Sequence, residues 1–242
     1  MFVCDREQLG RDLITLTGAE GRHATTVRRI GPGERVDLTD GSGLLAECEV
    51  LAARPGAGEL DLAVLARRTD PEPRCALTVV QAIVKGSAGE LAAELMTEVG
   101  VDTIVPWDAE RSVARWRQGR EENALGRWRT AAREAAKQSR RSRFSVVTAQ
   151  ARTADVIELV RRAELAAVLD PVGPAALATL ALPSDGEIVV VVGPEGGISP
   201  REHASLMAVG AVNARIGPTI LRGSTAGAVA AALVLSRCGR WA

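Results

Sequence analysis

The spacing of apolar positions divides the chain in two. Up to residue 66 the apolar residues come in short runs, at 36–39, 44–52 and 60–65. Asp40-Gly41-Ser42-Gly43 separates the first two runs, and Arg54-Pro55-Gly56-Ala57-Gly58 the second and third. Both are turn sequences, because glycine supplies positive φ and Asp and Ser bond back to nearby backbone. Gly31-Pro32-Gly33-Glu34 marks a further turn before the first run. Closely spaced strands with such turns predict a small β-barrel or sandwich. Residues 19–29 fit one short helix carrying His23, Arg28 and Arg29.

After Thr69-Asp70-Pro71-Glu72-Pro73-Arg74 the period changes. Prolines lack the amide donor that a ladder or helix needs, so a boundary at residue 70 divides domains 1–70 and 71–242. Residues 77–84 read as a strand. Ser87 and Glu90 are spaced as a capping box, Leu91, Leu95 and Val99 share one helical face, and Gly100 is the stop. Strands at 101–106, 165–169, 187–192 and 211–216 alternate with helices at 121–139, from Ser199-Pro200-Arg201-Glu202 onward, and at 225–237, with Thr225 as the last cap. The run 187–192 is apolar throughout, as in a parallel sheet covered on both faces. The alternation predicts a three-layer α/β domain.

Charge changes this picture locally. The chain carries 30 basic and 30 acidic residues, a formal net charge of zero. Residues 110–143, however, hold 11 bases against 4 acids, and 71–109 hold 2 against 6. That asymmetry points to a polyanionic partner, against the plainer alternative of a solvated helix face. Arg111, Arg115, Arg117, Arg127, Arg133, Arg140, Arg141 and Arg143 are the candidates to face it. Aromatic residues are few and tyrosine is absent, which disfavours a base-stacking platform. The longest uninterrupted apolar-plus-glycine run, 226–235, is ten residues, too short to span a bilayer. No secretory signal is visible, and the four cysteines lack any C-x-x-C pair, so a cytoplasmic protein without a metal site is expected.

The sharpest local feature is Val189-Val190-Val191-Val192-Gly193-Pro194-Glu195-Gly196-Gly197, a buried strand emptying into a glycine-rich loop. In open α/β sheets ligands bind beyond the strand carboxyl ends. The loop is neither a P-loop nor G-x-G-x-x-G. A second loop, Ile216 to Ala226, leaves a strand and feeds a helix, and a third follows Leu169. Arg222, between flexible neighbours, could reach a phosphate or a developing charge.

Lys85-Gly86, Glu98-Val99-Gly100-Val101, Glu110-Arg111-Ser112-Val113, the block from Glu134 to Arg141, Gly193-Pro194-Glu195-Gly196-Gly197 and the I-L-R-x-x-T-A pattern at 220–226 occur in this order. Together they resemble the RsmE-type methyltransferases of 16S ribosomal RNA, within the SPOUT superfamily. His23 and Val27-Arg28-Arg29 resemble that family's H-x-x-x-V-x-R segment. The resemblance implies a PUA-like β-barrel followed by a trefoil-knotted α/β domain, and a homodimer. It implies S-adenosylmethionine as donor and N(3) of a uridine in the 30S subunit as acceptor. The family's cofactor loops fall on Leu169, on Gly193, Pro194, Glu195, Gly196 and Gly197, and on Ile216, Gly217, Ile220, Leu221, Arg222, Thr225 and Ala226. Arg222 is the catalytic candidate, as a cation for the uridinate. His23, Arg28, Arg29, Arg111, Arg140, Arg141 and Arg143 are the RNA-binding candidates. His23 fits a structural role equally, and His203 reads as a helix-surface residue. Where the family usually has T-E-T-A, this chain has Gly223-Ser224-Thr225-Ala226. That departure keeps open a non-catalytic RNA-binding assembly factor; a ribose 2′-O-methyltransferase of the same superfamily is the other alternative.

Overall fold

The computed structural model describes residues 1–116, 119 and 121–241. They form two compact units, Met1–Glu72 with Ala136–Phe144, and Pro73–Ala135 with Ser145–Ala242.

The first unit is a curled five-stranded sheet. Its strands are β1 (Phe2–Val3), β2 (Leu13–Leu16), β3 (Arg35–Thr39), β4 (Leu44–Arg54) and β5 (Glu59–Thr69), in the order β1-β3-β4-β5-β2. The pairs β3–β4, β4–β5 and β2–β5 are antiparallel, and β1 joins β3 in parallel. Register shifts at Glu47/Cys48 and Val50/Ala52 bend β4 against β5, as bulges do. The inner face buries Phe2, Leu9, Ile14, Leu16, Leu38, Val50, Leu60 and Leu62. Helix α1 (Arg6–Leu9) and helix α2 (Gly18–Arg22) accompany the sheet, and α2 continues as a π-helical turn over His23–Val27. The expected single helix over 19–29 is therefore two segments with different hydrogen-bond periods.

The second unit is a seven-stranded parallel sheet. Its strands are β6 (Cys75–Ala82), β7 (Thr103–Trp107), β8 (Val146–Val147), β9 (Leu165–Leu169), β10 (Ala175–Ala176), β11 (Gly186–Val192) and β12 (Val212–Arg215). They run in the order β10-β12-β9-β11-β6-β7-β8. The helices are α3 (Ala88–Val99), α4 (Glu121–Gln138), α5 (Thr153–Arg162), α6 (Pro200–Ala208) and α7 (Gly223–Arg237), with a 3₁₀ turn at Leu177–Thr179. Two apolar clusters lie on opposite faces of the sheet. Val79, Ile188 and Val190 meet Ala92, Met96, Ala230 and Val234, whereas Val80, Val189 and Val191 meet Val156, Val160 and Leu206. This burial on both faces is why 187–192 carries no polar alternation.

Three local expectations differ. Ser87 precedes α3 but makes no side-chain cap bond, because its backbone is already helical at ψ 0°. Helix α7 begins two residues before Thr225, with Arg222 as its N-cap. Helix α5 went unforeseen; its opening bond, from the Arg152 amide to the Asp155 carboxylate at 2.8 Å, uses an arginine position that carries no capping signal. No helix among the described residues is long and apolar enough to cross a membrane.

Candidate active site

Sheet order assembles the site. Strands β12, β9 and β11 are neighbours and parallel, so their carboxyl ends open on one edge. Val168 pairs with Val191, and Leu169 with Ala214, so the three following loops leave at one level although they lie far apart in sequence.

Each loop is pinned. After β9, the Asp170 amide donates to the Ala214 carbonyl at 2.9 Å. The Asp170 carboxylate accepts from the Val172 amide at 2.9 Å and from Asn213 Nδ2 at 3.1 Å. After β11, the Gly197 amide closes a turn on the Pro194 carbonyl at 2.8 Å. Gly193 has no room for a side chain, since a Cβ there would sit 2.7 Å from Ile198 Cγ1. Ser199 then caps α6: its hydroxyl accepts from the Glu202 amide at 3.2 Å, and its amide donates to Glu202 Oε2 at 3.3 Å. This is the expected start of α6, completed into a capping box.

Glu202 is 2% exposed. Its Oε1 also accepts from the Glu110 amide at 2.9 Å and the Thr153 hydroxyl at 2.8 Å. A buried carboxylate with these donors is compensated, and it fastens the glycine loop to two other segments. The Ser199 hydroxyl donates to Glu110 Oε2 at 2.7 Å. That bond, and then the nearby Arg201, hold the exposed Glu110 carboxyl below its usual pKa.

After β12 the chain reaches Arg222, whose carbonyl accepts from the Thr225 and Ala226 amides at 3.0 and 2.9 Å. The Thr225 hydroxyl donates to the same carbonyl at 3.1 Å, so it faces its own turn. The Arg222 side chain is exposed.

These loops surround a cavity of about 580 Å³. Leu169, Gly193, Pro194, Glu195, Gly197, Ile216, Gly217, Ile220, Leu221, Arg222 and Ala226 line it; Gly196 and Thr225 do not. Asp170, Ile198, Thr219 and His203 line it as well. His203 therefore departs from the expected helix-surface placement. It is half-buried, and its Nε2 is enclosed with no hydrogen-bond partner among the described residues. Its position one turn into α6 turns it toward the loop that the helix follows. Ser224, where the family's glutamate would stand, is buried.

The basic candidates separate. Arg28, Arg29, Arg111 and Arg140 are exposed. Arg141 is half-buried. Arg127 pairs with Glu90 at 2.7 Å, and Arg115 donates to the Glu110 carbonyl at 3.2 Å. Arg143 Nε donates to the carbonyls of Asp70 and Pro71 at 3.0 and 3.1 Å. His23 lies edge-on to Phe2, with ring centroids 5.9 Å apart, which is a packing role. Arg117 lies outside the described residues.

Residues 71–235 match an RNA methyltransferase domain, and residues 16–62 match an RNA methyltransferase PUA domain. The chain is 46% identical over 228 residues to ribosomal RNA small subunit methyltransferase E of Mycobacterium bovis, covering 93% of this chain and 86% of that protein. The Mycobacterium tuberculosis protein of the same name matches to the same extent. In fold, the chain is similar to the Neisseria gonorrhoeae ribosomal RNA small subunit methyltransferase E bound to S-adenosyl methionine. That likeness has a TM-score of 0.85 at 24% identity and covers 98% of this chain and 96% of that one. The chain belongs to the ribosomal RNA small subunit methyltransferase E family, a PUA-like half-barrel followed by a parallel α/β methyltransferase domain.

Proposed function

We propose that the protein transfers a methyl group from S-adenosylmethionine to N(3) of a uridine in 16S ribosomal RNA of the small subunit. The observation that carries this reading is the three-loop cavity at the β12-β9-β11 edge, in a chain 46% identical to small-subunit rRNA methyltransferases. Its size suits a nucleoside-sized ligand. Its lining also suits S-adenosylmethionine. Leu169, Ile216, Leu221 and Ala226 offer apolar surface, the glycines give access to backbone, and Asp170 and Glu195 supply carboxylates toward a cation.

The bound donor supplies an electrophilic sulfonium methyl, open to in-line displacement. The protein's part is position and charge. The pinned loops hold donor and acceptor at reacting distance, which lowers the entropic share of the barrier. N(3) lies on the Watson–Crick edge, so the base must be unpaired to enter. Arg222 stands at the cavity and at the N-terminus of the 15-residue α7. Its guanidinium and the helix dipole both favour the uridinate that forms as N(3) loses its proton. Glu195, exposed at the same cavity, is the carboxylate in place to take that proton.

In this reading residues 1–70 form the RNA-binding barrel and residues 71–242 the knotted methyltransferase domain. Arg28, Arg29, Arg111, Arg140 and Arg141 meet the RNA, while His23 packs against Phe2. The working form is a cytoplasmic homodimer. Exposed apolar side chains on the site loops, Val172 at 85% and Ile220 at 80%, support a second copy as their cover.

The test is nucleoside mass spectrometry after incubating the protein with S-adenosylmethionine and unmethylated 30S particles. N(3)-methyluridine is the expected product. A ribose-methylated nucleoside, or no methylated nucleoside, rejects the assignment. Sedimentation at micromolar concentration reads the dimer.

A further inference from the structure

Helices end cheaply on glycine. A residue just past the last turn often adopts the left-handed conformation, and there a Cβ crowds the following carbonyl. The second unit follows this rule: α3 stops on Gly100 at φ 112°, and α6 is followed by Gly210 at φ 100°. The first unit breaks it twice. Among the described residues the non-glycine positions with positive φ are Arg29, at 52°, and Arg140, at 56°.

Both arginines occupy the same structural slot. Past α4, the Arg141 amide donates to the Ala136 carbonyl at 2.9 Å and the Arg140 amide to the Lys137 carbonyl at 3.4 Å. Past the π-helical turn, the Ile30 amide donates to the Ala24 carbonyl at 3.0 Å. Each pattern needs one left-handed residue, and glycine would supply it without strain.

The two ends face one region of the first unit. Lys137 Nζ meets Glu20 Oε1 at 3.1 Å, with side chains 8% and 16% exposed, which fixes the last turn of α4 against α2. The Met1 amino group has its pKa lowered first by burial. Asp37 offsets this in part, while Arg140, Arg28 and Lys137 add to it. Arg28, Arg29 and Arg140 are all exposed, and no acidic side chain among the described residues lies within ion-pair distance of them.

Strain kept at exposed, unneutralised arginines marks a contact made with something else. We propose that Arg29 and Arg140, with Arg28, form a phosphate-binding cluster for ribosomal RNA on the first unit, and that their left-handed backbone is strain retained for that contact. The inference rests on the RNA substrate proposed above and adds that two of its cations stand on strained backbone, and what holding them there costs. Guanidinium groups suit the task, since each can grip a phosphate with two parallel donors.

The experiment compares Arg29→Gly, Arg140→Gly, Arg140→Lys and the unaltered full chain. It measures melting temperature and binding to transcribed small-subunit ribosomal RNA across salt concentrations, without donor. Each glycine variant is expected to melt about 2–4 °C higher, as relief of left-handed strain should give in a chain of this size. The same variants are expected to bind RNA several-fold more weakly, with a log–log salt slope shallower by about 0.7–0.9 per arginine removed. Arg140→Lys keeps charge and strain, so it should keep both the unaltered melting temperature and the slope. RNA affinity and slope unchanged in the glycine variants would overturn the proposal, as would an unaltered chain that binds no RNA. A lower melting temperature in those variants would overturn the strain. A chain that binds this RNA through these arginines yet yields no methyluridine strikes the methylation reading and leaves this one standing.

Discussion

The two units offer ligands opposite kinds of surface. The second gathers glycine, proline and aliphatic side chains around a cavity, with a few charged groups placed at its wall. The first sets Arg28, Arg29 and Arg140 at helix ends, exposed and with no acidic side chain among the described residues within ion-pair distance. A walled cavity of about 580 Å³ selects a compact ligand by shape. Unpaired cations on an open surface select an extended polyanion by charge, and that binding weakens with salt. On the proposed reading an RNA methyltransferase uses both, the cavity in one unit and the cations in the other. The largest expected effect belongs to the cavity. Arg222→Ala should lower turnover by about 10²–10³-fold, the usual loss when one group aimed at a developing charge is removed. Affinity for S-adenosylmethionine, read by calorimetry, should change far less, because the loop backbone and Leu169 remain. Unchanged turnover removes Arg222 from the mechanism.

Next in size is the network beneath the glycine loop. Glu202→Ala leaves the Ser199 and Glu110 amides and the Thr153 hydroxyl without their shared acceptor. Orphaned buried donors of this kind cost about 1–3 kcal/mol each when they stay dry. A loss of about 3 kcal/mol in urea unfolding is expected, with weaker donor binding as the loop loosens. If donor affinity holds while stability falls, Glu202 supports the fold alone.

The units also differ toward alkali. Burial raises the thiols of Cys4 and Cys48 in the first unit, and Cys48 is pushed up to about 11. In the unfolded chain Cys48 ionises near 9, so between about pH 9 and 11 the unfolded state holds fewer protons than the folded one. Stability must then fall as pH rises through that window. Burial raises Cys75 of the second unit as well. All four tryptophans, at 107, 116, 128 and 241, belong to the second unit. Raising pH above 9 should therefore disturb far-ultraviolet circular dichroism before tryptophan fluorescence. Coincident transitions would mean that the two units do not separate in this way.

Much of this contrast was legible in the residues. The apolar run at 187–192 announces a strand buried on both faces, and the glycine loop after it announces a ligand edge. Three things were not. The position of His203 depends on which side of α6 meets the cavity, and one histidine in a nine-residue helix carries no such signal. Helix α5 opens on an arginine, where a rule built on Ser, Thr, Asp and Asn finds nothing. The membership of Ala136–Phe144 in the first unit depends on contacts with residues about a hundred positions away, such as the Thr39 hydroxyl donating to the Ser142 carbonyl at 3.0 Å. Nor does a count of bases distinguish an arginine that waits for a ligand from one already engaged.

Arg143 tests that last distinction with the smallest expected effect. By charge it belongs with Arg140 and Arg141. In the fold its Nε is shared between the carbonyls of Asp70 and Pro71, its side chain is 28% exposed, and Glu72 lies 3.8 Å from Nη1. Beside it, the Ser142 hydroxyl donates to the Asp70 carboxylate, so the strap is held at two successive residues. Arg143→Ala should therefore destabilise the chain by about 1–2 kcal/mol, the range for a lost hydrogen bond from a charged group that is only partly dry. The RNA salt slope should stay as it was, because the guanidinium is tied at Nε to two backbone carbonyls and its charge already has a partner in Glu72. Arg140→Gly is expected to do the reverse, raising stability and flattening the slope. If Arg143→Ala flattens the slope as well, the strap carries RNA contacts along its length, and the line drawn between tying and binding arginines in the first unit fails.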